Sequence, residues 1–481
     1  MIDQFKLISL ELLLAVLAIG VLSLRLLIRG IGPRLEVGVV GFGLGGLLIL
    51  TLSGAIPNGL GFGRVFLNSD AVLAFKALFV LSGFLVTLLC WPFEGEGNKP
   101  LLPPKYNAEA LALMLVSVLG MCIIVSAREL VLLYVGLEMV SLPLVILTAF
   151  NTKDHRSSEA GMKYVVYSAL SSGLLLYGLS MVYGMAGSTY LDIISQRLTL
   201  SWLSILSSVF ILSGVGFKVA AVPFHIWTLD VYEGAPIPVT AFLSVASKAA
   251  GLALLYKIVI QPFGEVIFSW QLLVAILATL TMTFGNLAAL HQNNMKRFLA
   301  CSSIAQAGYI LVGMVNPEPF GRAAVIYYLL VYIISNIAAF GAVIAIANAT
   351  GREDMRDYVG LSISNPKLAL VFMLAMFSLA GIPPLAGFIG KFYLFAAAAK
   401  LGMYWLVLVG TINATISLYY YLMVVKWAYL VKPDAHASPL QVFNIPFVHR
   451  FVLFVVTVGM VLVGIVPHFI RWAQVVAGSA L

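Results

Sequence analysis

The sequence predicts an all-α polytopic membrane protein of about fourteen transmembrane helices, and three observations lead there. Of the 481 residues, 61% are hydrophobic and only 10% charged, whereas a soluble domain carries roughly 25% charge. So few charges cannot solvate a globular surface of this size, which excludes a soluble fold. The apolar residues also fall in long blocks, each sufficient to cross a hydrocarbon core of about 30 Å as a helix; the stretch from Leu111 runs to Ile146 with little interruption. Finally, two blocks are interrupted by proline or glycine beside a lysine, the pattern of helices broken at membrane depth.

Cutting the chain at polar or Pro/Gly-rich breaks places spans at 8–28, 37–55, 71–91, 109–127, 130–149, 160–186, 201–222, 238–260, 271–291, 301–316, 323–349, 366–398, 405–427 and 449–472. The first residues, Met1 to Lys6, lack the basic region of a signal peptide, and the first block ends in Arg25 and Arg29 without a small-residue cleavage site. We therefore expect it to be kept as the first span. Residues 1–108 form three N-terminal helices, 109–260 a first five-helix repeat, 261–427 a second, and 428–481 carry the fourteenth helix.

An even number of spans puts both termini on one side. Arg29, Arg34, Lys99, Lys105, Lys153, Arg156, Lys296, Arg297, Arg352 and Arg356 fall in alternate loops. Those loops hold about twice the Lys and Arg of the others, so the positive-inside rule assigns them to the cytoplasm or its organellar equivalent. Both termini then face the opposite side. The expected location is a bacterial inner membrane, with a thylakoid or organellar inner membrane as the alternative.

Several features have plain explanations. The net charge of +8 would suggest nucleic acid in a soluble chain, but here the basic residues mark topology and no nucleic-acid partner is expected. Cys90, Cys122 and Cys301 lie in or beside apolar blocks without ligand spacing, so neither a disulfide framework nor a metal site is indicated. Gly41-Phe42-Gly43-Leu44-Gly45-Gly46 fits G-x-G-x-x-G, yet no strand precedes it; close helix packing by small residues accounts for it. Trp91, Trp202 and Trp270, near block ends, are read as interfacial anchors.

The informative residues are ionisable groups inside apolar spans: Glu138 in the fifth, Lys218 in the seventh, Lys248 in the eighth and Lys391 in the twelfth. Insertion of such a group at mid-span costs roughly 2.5–3.5 kcal/mol, so each needs a partner or a wet cavity. Lys163 and Lys76 are further candidates, but they lie nearer block ends and can snorkel. Any one of these is equally well a structural ion pair between helices. Several together, in two signs and on different helices, favour a conducting path, because low dielectric brings acids and amines towards neutrality and lets them exchange protons.

Two of the lysines stand beside breaks. Pro223 ends the Lys218 block, and Gly381-Ile382-Pro383-Pro384-Leu385-Ala386-Gly387 interrupts the block containing Lys391. Half-helices at membrane depth expose backbone groups and dipoles that stabilise ions near the midplane. Five spans separate the two breaks, as expected for repeats made of spans four to eight and nine to thirteen. An odd number of spans per repeat makes the repeats inverted, the plan of alternating-access transporters.

At these residues the sequence resembles the antiporter-like, proton-translocating membrane subunits of respiratory complex I, specifically subunit N of bacteria and subunit 2 of mitochondria and plastids. The resemblance runs from the third span to the thirteenth. It is carried by Val135–Pro143 around Glu138, Glu159–Tyr164 around Lys163, Lys218–Thr228, Asp230–Pro236, Lys296–Ala305 and Ser378–Phe388. It implies a subunit of an NADH- or ferredoxin-driven quinone reductase in which Glu138 pairs with Lys218, Lys248 relays protons along the membrane midplane, and Lys391 connects to the exit or a neighbour. His225 serves proton entry or caps the broken helix, and both readings stay open; Asp230 and Glu233 are read as structural. The resemblance places NADH, FMN, Fe–S clusters and quinone in partner subunits, with no cofactor in this chain. It also makes other membrane-arm subunits and the lipid bilayer its partners. Gln306 stands where the family often has histidine, Leu229 and Ile237 where it often has Pro and Thr, and Met423 where it often has arginine. A glutamine at 306 does not titrate but can hydrogen-bond within a chain.

Three functions compete. The leading one is a redox-coupled proton pump subunit without a redox centre of its own, since no haem, flavin, Fe–S or nucleotide motif is present. The first alternative is a stand-alone or Mrp-type cation/proton antiporter; the second is a membrane scaffold whose buried charges only pair structurally.

Overall fold

A chain crossing hydrocarbon must satisfy its backbone polar groups internally, and helices do so. The computed structural model describes residues 2–28, 30–93, 102–260, 270–431, 442–479 and 481; Arg29 and Lys99 lie outside them. Among the described residues thirteen helices are long and apolar enough to cross a membrane. The remaining crossing, the twelfth, consists of two fifteen-residue halves, Pro366–Ala380 and Ala386–Lys400, on either side of the expected break.

The tenth crossing begins at Met295, not at 301, so Lys296 and Arg297 belong to its first turn instead of to a loop. Their charge is tolerated there because Lys296 pairs with Glu353 at 3.0 Å and Arg297 with Glu233 at 2.6 Å. At the other end of the chain, the expected span 449–472 resolves into a crossing, Phe447–Ile465, and a separate short helix, His468–Ala477. Pro467 separates the two, and the short helix buries Ile470, Ala473 and Val476 while packing on the eleventh crossing. A two-stranded antiparallel hairpin, Gly59–Gly61 with Phe66–Asn68, joins the second and third crossings.

The inner wall is built from helices that are apolar all round. The eighth crossing (Ile237–Ile258) and the eleventh (Pro319–Thr350) are wholly buried over their apolar windows and the tenth (Met295–Met314) 94% buried, against 28% for the first, Ser9–Leu27. In the N-terminal part, glycines bring helices together: a β-carbon on Gly41 would meet Leu88 of the third crossing, and one on Gly43 would meet Leu17 of the first. Trp202 is exposed at the head of the seventh crossing, as an interfacial anchor requires, whereas Trp270 is 6% exposed and packs in the core. Its position at a block end gave no sign of the neighbours that cover it.

Lys76 does not snorkel. It is fully buried in the third crossing, its Nζ 2.7 Å from Glu11 Oε1 of the first and 2.7 Å from Asn68 Oδ1. The carboxylate supplies the partner that burial demands, a long-range pairing invisible in either block alone.

Candidate functional site

The two breaks are made differently. The seventh crossing, Trp202–Val219, opens with a capping box between Ser201 and Ser204 and stops at Ala220, whose φ of 60° lies in the left-handed region. The Trp227 indole N–H donates to the Phe217 carbonyl at 3.0 Å, satisfying an end carbonyl of the half-helix. His225 lies just beyond this break, its Nδ1 buried without a hydrogen-bond partner and its ring centre 3.9 Å from that of Phe284. In the twelfth crossing the first half ends at Gly381 with φ +89°, a conformation glycine takes without strain.

Lys218 sits in the last turn of its half-helix, 3% exposed, where the helix dipole favours a cation. Its Nζ donates to Ser141 Oγ at 2.7 Å and Ser168 Oγ at 3.0 Å. Glu138, in the middle of Leu130–Thr148, does not bond it directly; Glu138 Oε1 is buried without a hydrogen-bond partner. Ser141, one turn further along the same helix, accepts from Lys218 while its own hydroxyl donates to the Leu137 carbonyl at 2.7 Å, so the lysine rests on hydroxyls and not on the expected carboxylate.

Lys248 lies at the middle of Ile237–Ile258, 2% exposed. A π-helical turn over Leu243–Ser247 precedes it, a distortion that frees a backbone carbonyl. Tyr332 donates to that carbonyl, Ser244 O, at 3.0 Å, and Asn336 donates to Ser244 Oγ at 2.7 Å. Gly251, one turn beyond Lys248 on the same helix, packs against Lys218: a β-carbon there would lie 3.2 Å from Lys218 Cβ, tighter than side chains ordinarily pack, so glycine eases the approach of the two helices.

From Lys248 two sets of hydrogen bonds lead into the second half, and the Ser303 hydroxyl at the end of the first donates to the Ala300 carbonyl at 2.7 Å, not to Gln306. Lys248 Nζ donates to Ser303 Oγ at 2.7 Å, and Gln306 follows one turn along the same helix. Gln306 Nε2 donates to the Leu379 carbonyl at 3.0 Å and to Tyr421 Oη at 3.2 Å, and Gln306 Oε1 accepts from Tyr328 Oη. Lys391 Nζ, 4% exposed, donates to the same Leu379 carbonyl at 2.9 Å and to that of Ala380 at 3.0 Å, over the Tyr309 ring at 4.5 Å. The lysine of the second half-helix thereby reaches back to cap the first.

Lys163 stands apart. It is partly exposed and pairs with Glu159 and Asp230, both at 2.8 Å; Asp230 and Glu233 also hold Arg297, at 3.4 and 2.6 Å. This surface network ties the sixth crossing, the helix Trp227–Gly234 and the tenth crossing together. Sequence reasoning missed Ser141, Ser168, Ser303 and Tyr232, because an uncharged polar residue in an apolar span gives no signal of its neighbours. It also missed Lys257, 1% exposed and donating to Ala127 O at 2.8 Å, which a charge inside Leu254–Ile258 should have flagged. Among the described residues no group of His, Cys, Asp and Glu is arranged to hold a metal ion.

A family profile described as "NADH:quinone oxidoreductase/Mrp antiporter, TM" matches residues 127–417, which contain Glu138, Lys218, Lys248, Ser303, Gln306 and Lys391. The chain is 41% identical over 443 residues to the NADH-quinone oxidoreductase subunit N of Moorella thermoacetica, covering 91% of each. Among solved structures it is similar to a chain of the respiratory complex I from Thermus thermophilus with bound aureothin. The TM-score is 0.80 with 31% identity, over 95% of this chain and 97% of that one. A chain of the Mrp complex from Dietzia sp. shares the fold, with a TM-score of 0.83 over 98% of this chain and 96% of that one, at 22% identity. With a profile spanning more than half its length and relatives alike over nine-tenths of it, the chain belongs to the NADH:quinone oxidoreductase/Mrp antiporter transmembrane family.

Proposed function

We propose that this chain is a proton-translocating membrane subunit of a quinone oxidoreductase complex. Protons move along Glu138, Lys218, Lys248 and Lys391, and partner subunits carry the NADH, FMN, Fe–S clusters and quinone. The observation that carries the proposal is the succession of buried polar groups from Lys248, bonded to Ser303, to Gln306 one turn along the same helix, whose amide shares the Leu379 carbonyl with Lys391. Hydroxyl and amide groups between buried amines can pass hydrogen bonds to intervening water, and the amines supply sites that change protonation. Relatives named as subunit N, 41% identical over nine-tenths of the chain, favour the oxidoreductase over the antiporter, since the similar Mrp chain is only 22% identical. His225 and Lys163 are candidates for the entry side.

In this reading residues 109–260 and 261–427 are two inverted five-helix repeats. The face with the basic loops is cytoplasmic, both termini lie opposite, and the membrane is a bacterial inner membrane. Energy reaches the chain from partners as electrostatic or conformational change. The test is to compare the chain alone with the assembled complex. The complex should translocate protons only during quinone reduction, and Lys218→Ala should abolish translocation in complexes that still assemble. Robust sodium/proton exchange by the purified chain in liposomes would overturn the proposal in favour of the antiporter.

A further inference from the structure

A cavity of about 230 Å³ lies beside the basic loops, where the three N-terminal helices meet both halves of the chain. It is framed by Pro33 at the start of the second crossing, Trp91 just past the third, Asn107 at the start of the fourth, Pro238 in the first turn of the eighth and Asn348 in the last turn of the eleventh. Cys90 and Trp91 are partly exposed and Pro104 is exposed beside Lys105, so the cavity opens at that end. Four of its wall residues are prolines, each with a fixed φ and no N–H to donate. With Trp91 and Phe93 they make a preformed, largely apolar lining suited to a flat ring.

Two amides stand in this lining. Asn107 is 3% exposed and its Nδ2 donates to Glu36 Oε2 at 2.9 Å, while Glu36 Oε1 accepts from Arg25 at 2.8 Å. An ion-paired carboxylate only accepts, so the Asn107 amide is fixed with its Oδ1 left as an acceptor. Asn348 is 5% exposed, and its amide has no hydrogen-bond partner among the described residues. A buried amide without a partner is costly, and here it marks a place where a polar group binds. Arg25 neutralises Glu36, and no charged side chain lines the cavity among the described residues, so an ion entering it would meet no counter-charge. Water serves the amides but leaves the aromatic and prolyl wall wet; a ring with a polar substituent satisfies both.

We propose that this cavity binds a small neutral aromatic molecule bearing both a hydrogen-bond donor and an acceptor, the chemistry of an aromatic carboxamide, taken up from the aqueous side of the basic face. Its ring lies against Trp91, Phe93 and the prolines. Its donor bonds Asn107 Oδ1, and its acceptor takes an N–H of Asn348. The volume is smaller than that of pockets for drug-sized ligands and suits a single ring. The site is separate from Glu138, Lys218, Lys248 and Lys391 and stands whether or not those groups move protons. Because its walls come from the N-terminal helices and from both halves, an occupant ties the three together.

The test follows alkylation of the native Cys90 by N-ethylmaleimide in the solubilised, assembled complex, read by mass spectrometry, with benzamide as the probe. Benzamide should slow the reaction saturably, about tenfold at about ten times its dissociation constant. The fully buried Cys301 reports any general change in reactivity and should not respond. Methyl benzoate keeps the ring and carbonyl but has no N–H, and should protect only at several-fold higher concentration. Benzoate should not protect, because the cavity offers the anion no cation. Asn348→Leu should weaken protection by benzamide several-fold while Cys90 still reacts; should that variant fail to assemble, the three probes on the native chain decide. A Cys90 that does not react, or that reacts equally fast with benzamide at its solubility limit, overturns the proposal, since the cavity is then closed or holds water alone. Equal protection by benzoate, or undiminished protection in Asn348→Leu, overturns it too, because the amides then have no part in binding.

Discussion

Lys391→Met separates a working lysine from a structural one. The side chain is 4% exposed and makes two bonds to carbonyls at the end of the first half-helix, at 2.9 and 3.0 Å. Bonds from a charged donor contribute about 1.5–3 kcal/mol each, so the pair is worth about 3–6 kcal/mol. Against this stands the desolvation of a buried ammonium, several kcal/mol, which methionine does not incur. The Leu379 carbonyl keeps its bond from Gln306, leaving only Ala380 O without its side-chain donor. Methionine also fills the volume, so no cavity term enters. The net change in stability is therefore within about 2 kcal/mol, and the complex should assemble. The methionine cannot carry a proton, so protons translocated per quinone reduced should collapse. Subunit content by immunoblot, thermal unfolding of the solubilised complex and proton uptake by vesicles measure the three quantities. Poor assembly with an undiminished proton-to-quinone ratio would refute the reasoning and make Lys391 a helix cap only.

Three further outcomes follow from the geometry. Lys76→Met leaves Glu11 buried without its cation and should destabilise the chain by about 3–5 kcal/mol, while adding Glu11→Leu should recover most of that in a thermal double-mutant cycle. Equal stability of all three variants would exclude a buried pair. Gly251→Ala places a β-carbon 3.2 Å from Lys218 Cβ and should cost about 1–3 kcal/mol while slowing translocation; a neutral effect on both would mean the close approach is unnecessary. Gln306→Leu removes a donor to the Leu379 carbonyl and strands the Tyr328 hydroxyl, costing about 1–3 kcal/mol. Its translocation should fall well below that of Gln306→His, and equal rates in the two variants would remove Gln306 from the route.

Much of this molecule was legible in the order of its residues. Block length and apolarity placed fourteen crossings, because hydrocarbon accepts only stretches that close their own backbone bonds. Both breaks were announced by Pro223 and Gly381, and Glu138, Lys218, Lys248 and Lys391 stood out because a charge in an apolar run is costly wherever the run is placed. What periodicity and composition could not supply was partnership. Lys76 looked free to reach the membrane surface until Glu11, 65 positions earlier, was found against it. Lys218 was expected on a carboxylate and rests on two serines, and Lys296 seemed a loop charge although it is buried in the first turn of a crossing, paired with Glu353. Serines and tyrosines at mid-span carry no charge, and so no cost that a sequence displays; only helix packing decides whether they meet a lysine, a neighbouring carbonyl or lipid. The sequence by itself determined the solvent in which this chain folds and the few groups that resist it. Tertiary structure decided which of those groups share a hydrogen bond, since that depends on distances between helices that no single helix encodes.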